Sequence, residues 1–254
     1  MASLNITRLL KNLDELRILL ANNYIDVLAI NKTRLDSSIS DCELFIPGYE
    51  IFRRDRSING RHGGGVCFYV RSTINYTPRL DLNIDHLENL CIEIRKPRAK
   101  PFLVITWYRP PDSTVDTFSC FETLVGKLDA GDLESYLMGD INVNFAAPHS
   151  DNNSRLLTSI TDLYGLHQLI CEPTRVSKSS STMVDLIFTN FPNRVPWSAP
   201  VSLISASAII VLFMHFVNSQ SAYLLRGILW YLVKNFNTAN FRSDICLQDW
   251  DSMN

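Results

Sequence analysis

Six short apolar runs recur along the chain: Tyr24 to Ile30, Tyr49 to Phe52, Val66 to Val70, Leu90 to Ile94, Phe102 to Trp107 and Met183 to Phe188. The four from Tyr49 to Trp107 are bounded by Gly, Pro, Asn or charged residues. Runs so short, rich in branched and aromatic residues, suit buried strands. No long helical pattern lies between those from Tyr49 to Trp107, so antiparallel pairing is predicted there. Helical spacing appears elsewhere. Leu9, Leu13, Leu16 and Leu20 predict a helix from Thr7 to Asn22. Phe118, Phe121, Leu124, Val125 and Leu128 predict another from Val115 to Leu128, and a third is predicted near Asn153 to Tyr164. Sheets packed with helices make a layered α+β domain.

At 254 residues, 46% hydrophobic and 20% charged, the chain can bury a full core, which excludes wholesale disorder and fibrous architecture. With 24 Lys and Arg against 26 Asp and Glu, the net charge is −2. No broad cationic field exists, so a nucleic-acid partner must be held by local charge. The six cysteines are scattered singly, without C-x-x-C pairs or zinc-site spacing. The N-terminal residues Met1 to Asn5 lack a signal-peptide pattern, so reduced thiols and an intracellular setting are expected.

After Arg194 no Asp, Glu, Lys or Arg occurs until Arg226, and Val201 to Val217 is almost wholly apolar or small. A membrane span needs about 20 such residues. Ser202, Ser205, Ser207 and His215 dilute this one, and its flanks lack the basic bias that orients a span, so a membrane partner is not expected.

The stretch richest in chemistry is Met138-Gly139-Asp140-Ile141-Asn142, where an apolar run opens into a carboxylate and an amide two residues apart. In an extended chain both point to one side. The carboxylate can take a proton or hold a metal, and the amide can hydrogen-bond a phosphoryl oxygen. An Asx-rich turn is the structural alternative. Tyr108-Arg109-Pro110-Pro111 also follows an apolar run, and its phenol and guanidinium suit phosphate contact; the alternative is a plain strand exit. Gly63-Gly64-Gly65 lacks the lysine and helix of a P-loop and reads as a turn into a strand. His62, His86, His149 and His167 lack metal-ligand spacing and read as surface or satisfied histidines.

Taken in order, Asn5, Asn31-Lys32-Thr33-Arg34-Leu35-Asp36, Pro47-Gly48-Tyr49, Gly63-Gly64-Gly65, Tyr108-Arg109-Pro110-Pro111, Gly139-Asp140-Ile141-Asn142 and Asp185 to Asn190 resemble the endonuclease/exonuclease/phosphatase superfamily. The branch most like this chain is the N-terminal endonuclease domain of non-LTR (LINE-like) retrotransposon polyproteins. The resemblance covers about residues 4 to 194. It implies a four-layer α/β sandwich of two packed mixed sheets flanked by helices, and Mg²⁺-dependent nicking of DNA that primes reverse transcription. It also implies a nuclear site of action and a reverse transcriptase domain in the same polyprotein. Carried over by motif, Asn5 lies at the metal pocket, Tyr108 contacts the scissile phosphate, Asp140 orients or activates water, Asn142 supports the phosphate, and Asp185 orients a catalytic histidine.

Two departures qualify this. Where the family has a metal-binding glutamate this chain has Lys32, whose ammonium has no lone pair and repels a cation. The family's closing Ser-Asp-His is also missing, and Leu203 to Val211 stands in its place. A permitted codon string for that segment, CTC ATA TCG GCA TCA GCG ATC ATA GTC, read from its third base encodes His-Ile-Gly-Ile-Ser-Asp-His-Ser. This is compatible with a frameshift before Leu203, with the frame recovered before Asn235. The expected organisation is a domain over 1–195, a divergent apolar segment over 196–233 that packs poorly on it, and the start of a linker over 234–254. The expected function is an impaired DNA-nicking endonuclease. The alternatives are a catalytically dead nucleic-acid- or protein-binding remnant and a phosphatase of phosphorylated lipids or inositols.

Overall fold

Both faces of two neighbouring strands are apolar, and that fixes the layers. Along β1 (Ala2–Asn5), β2 (Val27–Asn31), β3 (Tyr49–Arg54) and β4 (Val66–Arg71), alternate side chains point to opposite sides. Leu28, Ile30, Cys67 and Tyr69 pack with Leu13, Leu16 and Leu20 of α1 (Leu13–Ala21) in one cluster. Val27, Ala29, Val66 and Phe68 join the larger core shared with a second sheet. The computed structural model describes residues 1–21, 25–56, 63–147, 150–170, 173–176, 181–194 and 209–212.

The second sheet runs β5 (Tyr76–Pro78), β6 (Glu88–Ile94), β7 (Phe102–Tyr108), β8 (Glu134–Asp140), β12 (Asp185–Thr189) and β9 (His167–Gln168) in spatial order. Two-residue strands β10 (Arg175–Val176) and β11 (Ser181–Thr182) form a separate hairpin. Where no helix intervenes pairing is antiparallel, as in β2 with β4 and β6 with β7. The parallel pairs β1–β2 and β7–β8 are linked through α1 and α2 (Asp116–Ala130) respectively, as a parallel crossover requires. All five apolar residues predicted for α2 are buried, and Phe121 stacks on Trp107 of β7 with centroids 4.0 Å apart. Burying side chains of this size contributes about 1.5–3 kcal/mol each. Asp151 caps α3 (Asn152–Leu163) by accepting from Ser154 N. The result is helix, mixed sheet, mixed sheet, helix: the four-layer sandwich predicted.

The first helix starts later than predicted. Thr7 has φ +63°, outside the helical region, and Asn12 Nδ2 donates to the carbonyls of Ile6 and Arg8, so α1 begins only after a short 3₁₀ turn at Leu10–Asn12.

The strand β13 (Ile209–Leu212) departs from the expectation that 196–233 packs poorly. It pairs antiparallel with β1, from Ala2↔Leu212 to Asn5↔Ile209. The far side of β1 would otherwise be an open edge, and Ile-Ile-Val-Leu is a strong strand former. These four residues are therefore not part of a spanning helix, and no helix among the described residues is long and apolar enough to cross a membrane. The rest of 196–233, and 234–254, lie outside the described residues. Cys42, Cys67, Cys91 and Cys120 are free thiols; burial pushes those of Cys67 and Cys91 upward, away from the reactive thiolate.

Candidate active site

Four strands end together at one rim of the sandwich. Asn5 closes β1, Asn31 closes β2 in parallel register with it, Tyr108 closes β7 and Asp140 closes β8. Asp185 opens β12 directly opposite Asp140. Residues far apart in sequence meet here because strand ends are where the two sheets deliver side chains to one place.

Asn31, buried at 1% exposure, joins the sheets. Its Nδ2 donates to Thr106 Oγ1 at 3.0 Å, and its Oδ1 accepts from Asp140 N at 3.1 Å. The close approach depends on Gly139, where an added Cβ would lie 1.9 Å from the Trp107 carbonyl oxygen.

Asp140 is 1% exposed and surrounded by donors. Asn5 Nδ2 lies 2.7 Å and Lys32 Nζ 2.5 Å from its Oδ2, and Asn142 N lies 3.3 Å from Oδ1. Burial raises the Asp140 carboxyl above its usual range, against the opposing pull of the Lys32 ammonium. Asp185 is also buried, its N–H donates to Thr174 Oγ1 at 3.1 Å, and its Oδ2 has no hydrogen-bond partner. Burial first and repulsion from Asp140 second push its acid up to about 8. The Tyr108 phenol is raised to about 12, again by burial first and then by Asp140.

Lys32 and Tyr108, but not Asn5, Asp140 or Asp185, line a cavity of about 660 Å³, walled also by Arg34, Arg56, Glu88 and Asp112. Arg56 packs against Gly64, where a Cβ would lie 2.5 Å from its guanidinium carbon, and against the Tyr108 ring at 5.6 Å. Glu88 holds this wall by accepting from Arg56 Nε at 2.6 Å and Gly65 N at 2.8 Å.

Asn5, Lys32, Tyr108, Asp140 and Asp185 thus converge. Asn142 does not continue the strand. Its φ is +52°, and its Nδ2 donates to the Arg109 carbonyl at 2.8 Å, so of the two readings, extended chain or Asx-rich turn, the turn is the one observed. Arg109 points away from the cavity. It is fully buried over the Phe118 ring at 4.9 Å and donates to the Ser113 carbonyl, which makes it a structural residue rather than a phosphate contact. Gly63 to Gly65 leads into β4 as predicted, and Gly63 and Gly64 also form cavity wall. His86 is exposed at the cavity and His167 is exposed elsewhere; His62 and His149 lie outside the described residues. Arg56 and Glu88 carry parts of the site that no local sequence pattern marks, and Asn31 lies in a motif of the resemblance that assigns it no role.

The donor set does not fit Mg²⁺. Such an ion needs about six oxygens, several of them anionic or water. Here the Asp140 Oδ2 lone pairs face two N–H donors, Lys32 supplies a cation of its own, and the unpartnered protein oxygens that remain are the buried Asn5 Oδ1 and Asp185 Oδ2, too few for such a shell. Among the described residues no three His, Cys, Asp or Glu side chains gather as a metal cage.

Solved structures share this architecture. The endonuclease domain of TRAS1, a telomere-specific non-LTR retrotransposon, superposes with a TM-score of 0.61 at 17% identity, covering 84% of this chain and 98% of that one. The fold is that of the endonuclease/exonuclease/phosphatase superfamily. An AP endonuclease from Leishmania major gives a TM-score of 0.65 at 12% identity, covering 83% of this chain and 87% of its own. A 3′-5′ exonuclease from Neisseria meningitidis gives 0.60 at 15%, covering 84% and 99%. No protein-family model matches the sequence, and no curated protein does.

Proposed function

We propose that this chain is a DNA-nicking endonuclease domain of the LINE-like retrotransposon type whose hydrolytic step is impaired while its phosphodiester pocket persists. One observation carries the reading: the Lys32 ammonium rests on Asp140, the carboxylate that on this reading would activate water. An Asp140 held this way cannot accept a proton from water without losing its ion pair. The unpartnered Asp185 Oδ2 supports the same reading, since in the superfamily that carboxylate serves a histidine. The fold's likeness to the TRAS1 domain, together with the ordered motifs, favours the retrotransposon branch over a lipid or inositol phosphatase. On this reading DNA is the partner, the nucleus is the place of action, and a reverse transcriptase domain belongs to the same polyprotein.

The test is nicking of supercoiled plasmid with MgCl₂. Conversion at background level is expected. Robust nicking abolished by EDTA and by Asp140→Ala overturns the reading. Release of phosphate from inositol phosphates with no DNA affinity transfers the chain to the phosphatases.

A further inference from the structure

Lys32 is held in place by the fold. Its φ is +59°, and the residues after it are tied to the glycine turn by Thr33 N to Gly65 O at 3.2 Å and Arg34 N to Gly64 O at 2.8 Å. The side chain is 22% exposed and its ammonium lies 5.3 Å over the Tyr108 ring, at the cavity wall. An ammonium has three donors, and Asp140 accepts from this one. Donors therefore remain for an oxyanion in the cavity. Arg34 lines the same cavity, and its exposed guanidinium has no ion-pair or hydrogen-bond partner among the described residues. Arg56 is oriented by Glu88 beside Tyr108.

We propose that Lys32 takes the place of a divalent cation, so that with Arg34 and Arg56 this pocket holds a DNA phosphate through fixed side-chain cations and without added metal. Asp140 then keeps Lys32 aimed at the phosphate instead of activating water. Glu88 and Asp112 also line the cavity and limit its net positive charge, so the attraction is local and depends on donor geometry. Added Mg²⁺ has no site to fill and competes with the side chains for phosphate. This rests on the reading of the pocket as a phosphodiester site.

The experiment titrates fluorescein-labelled duplex DNA with the full chain, in EDTA and in MgCl₂ at matched ionic strength. Binding in EDTA at least as tight as in MgCl₂ is expected. Lys32→Met should weaken it about tenfold and lower the salt slope by about one, with Lys32→Arg within about threefold of the unmodified chain. Arg34→Gln, at an exposed side chain, should also weaken binding several-fold and serves where Lys32→Met fails to fold. Binding that requires Mg²⁺, no binding in either medium, or unchanged affinity in both Lys32→Met and Arg34→Gln overturns the inference. Plasmid nicking is read separately: robust nicking with metal-independent binding overturns the impaired-nuclease reading and leaves this one standing.

Discussion

Asp140 and Asp185 face each other across adjacent antiparallel strands, and among the described residues only Asp140 has a cation in contact with it. The asymmetry places the proton on Asp185. Its acid, raised to about 8, stays protonated in the folded chain at pH values where the unfolded chain, with an ordinary acid near about 4, has released it. The folded state binds more protons in that window, so stability is full below about pH 4 and is lost as pH rises through about 8. Asp185→Asn should flatten that decline and leave the protein about 1–3 kcal/mol more stable than the unmodified chain at pH 9. Urea melts at pH 5 and pH 9 provide the check, and parallel pH dependence in the two proteins would refute it.

The ion pair of Lys32 and Asp140 should couple strongly in a double-mutant cycle. Removing Lys32 leaves an uncompensated carboxylate at 1% exposure, so Lys32→Met should cost about 2–4 kcal/mol. Adding Asp140→Asn removes the stranded charge and should recover about half of that loss. Coupling below about 0.5 kcal/mol in urea denaturation would mean that the pair does not form in solution.

Gly139→Ala should be among the most damaging substitutions in the second sheet. The added methyl lies 1.9 Å from the Trp107 carbonyl oxygen, and backbone cannot swing aside as a side chain can. A loss of more than about 3 kcal/mol is expected. Gly131→Ala, with its nearest contact at 3.4 Å, is the control and should stay within about 1 kcal/mol. Similar melting temperatures for the two variants would show that β7 and β8 lie farther apart at this point.

The strands and helices that position the site were legible because burial leaves a periodic trace. All five residues predicted to form the apolar stripe of α2 are buried, and the strand over Val66 to Val70 differs from the observed one by a single residue. Asn5, Lys32, Tyr108, Asp140 and Asp185 were legible through ordered motifs. Arg109 and Asn142 show where local pattern stops. Both follow apolar strands, but the Arg109 guanidinium finds Phe118 and the Ser113 carbonyl, while Asn142 turns into left-handed backbone to reach the Arg109 carbonyl. Arg56 and Glu88 become neighbours only when β6 is brought beside the glycine turn, a long-range pairing that leaves no local signal. The pairing of Ile209–Leu212 was hidden for a similar reason: strand propensity was visible, but the open edge of β1 that it covers was not.

Lys32→Glu alone should fail to restore nicking of supercoiled plasmid with MgCl₂. The reversal returns a carboxylate to the wall beside Asp140 and improves the electrostatics for a divalent cation. On the proposed function, it leaves the Asp185 Oδ2 without the histidine that it would orient. A positioned general acid or base typically contributes about 10²–10⁴ in rate, and residues that act as a unit do not contribute additively. On the same reading the strand register suggests positions for a closing Asp and His, because Ile209 pairs with Asn5 at the rim of the site. Ser207-Ala208-Ile209 differs from the family's closing Ser-Asp-His at two positions. Lys32→Glu combined with Ala208→Asp and Ile209→His should therefore raise nicking about 10² or more above the single variant. If the single variant nicks as fast as the triple, the closing segment is not what the site lacks. If neither nicks, the register of β13 does not deliver the new side chains to Asp185.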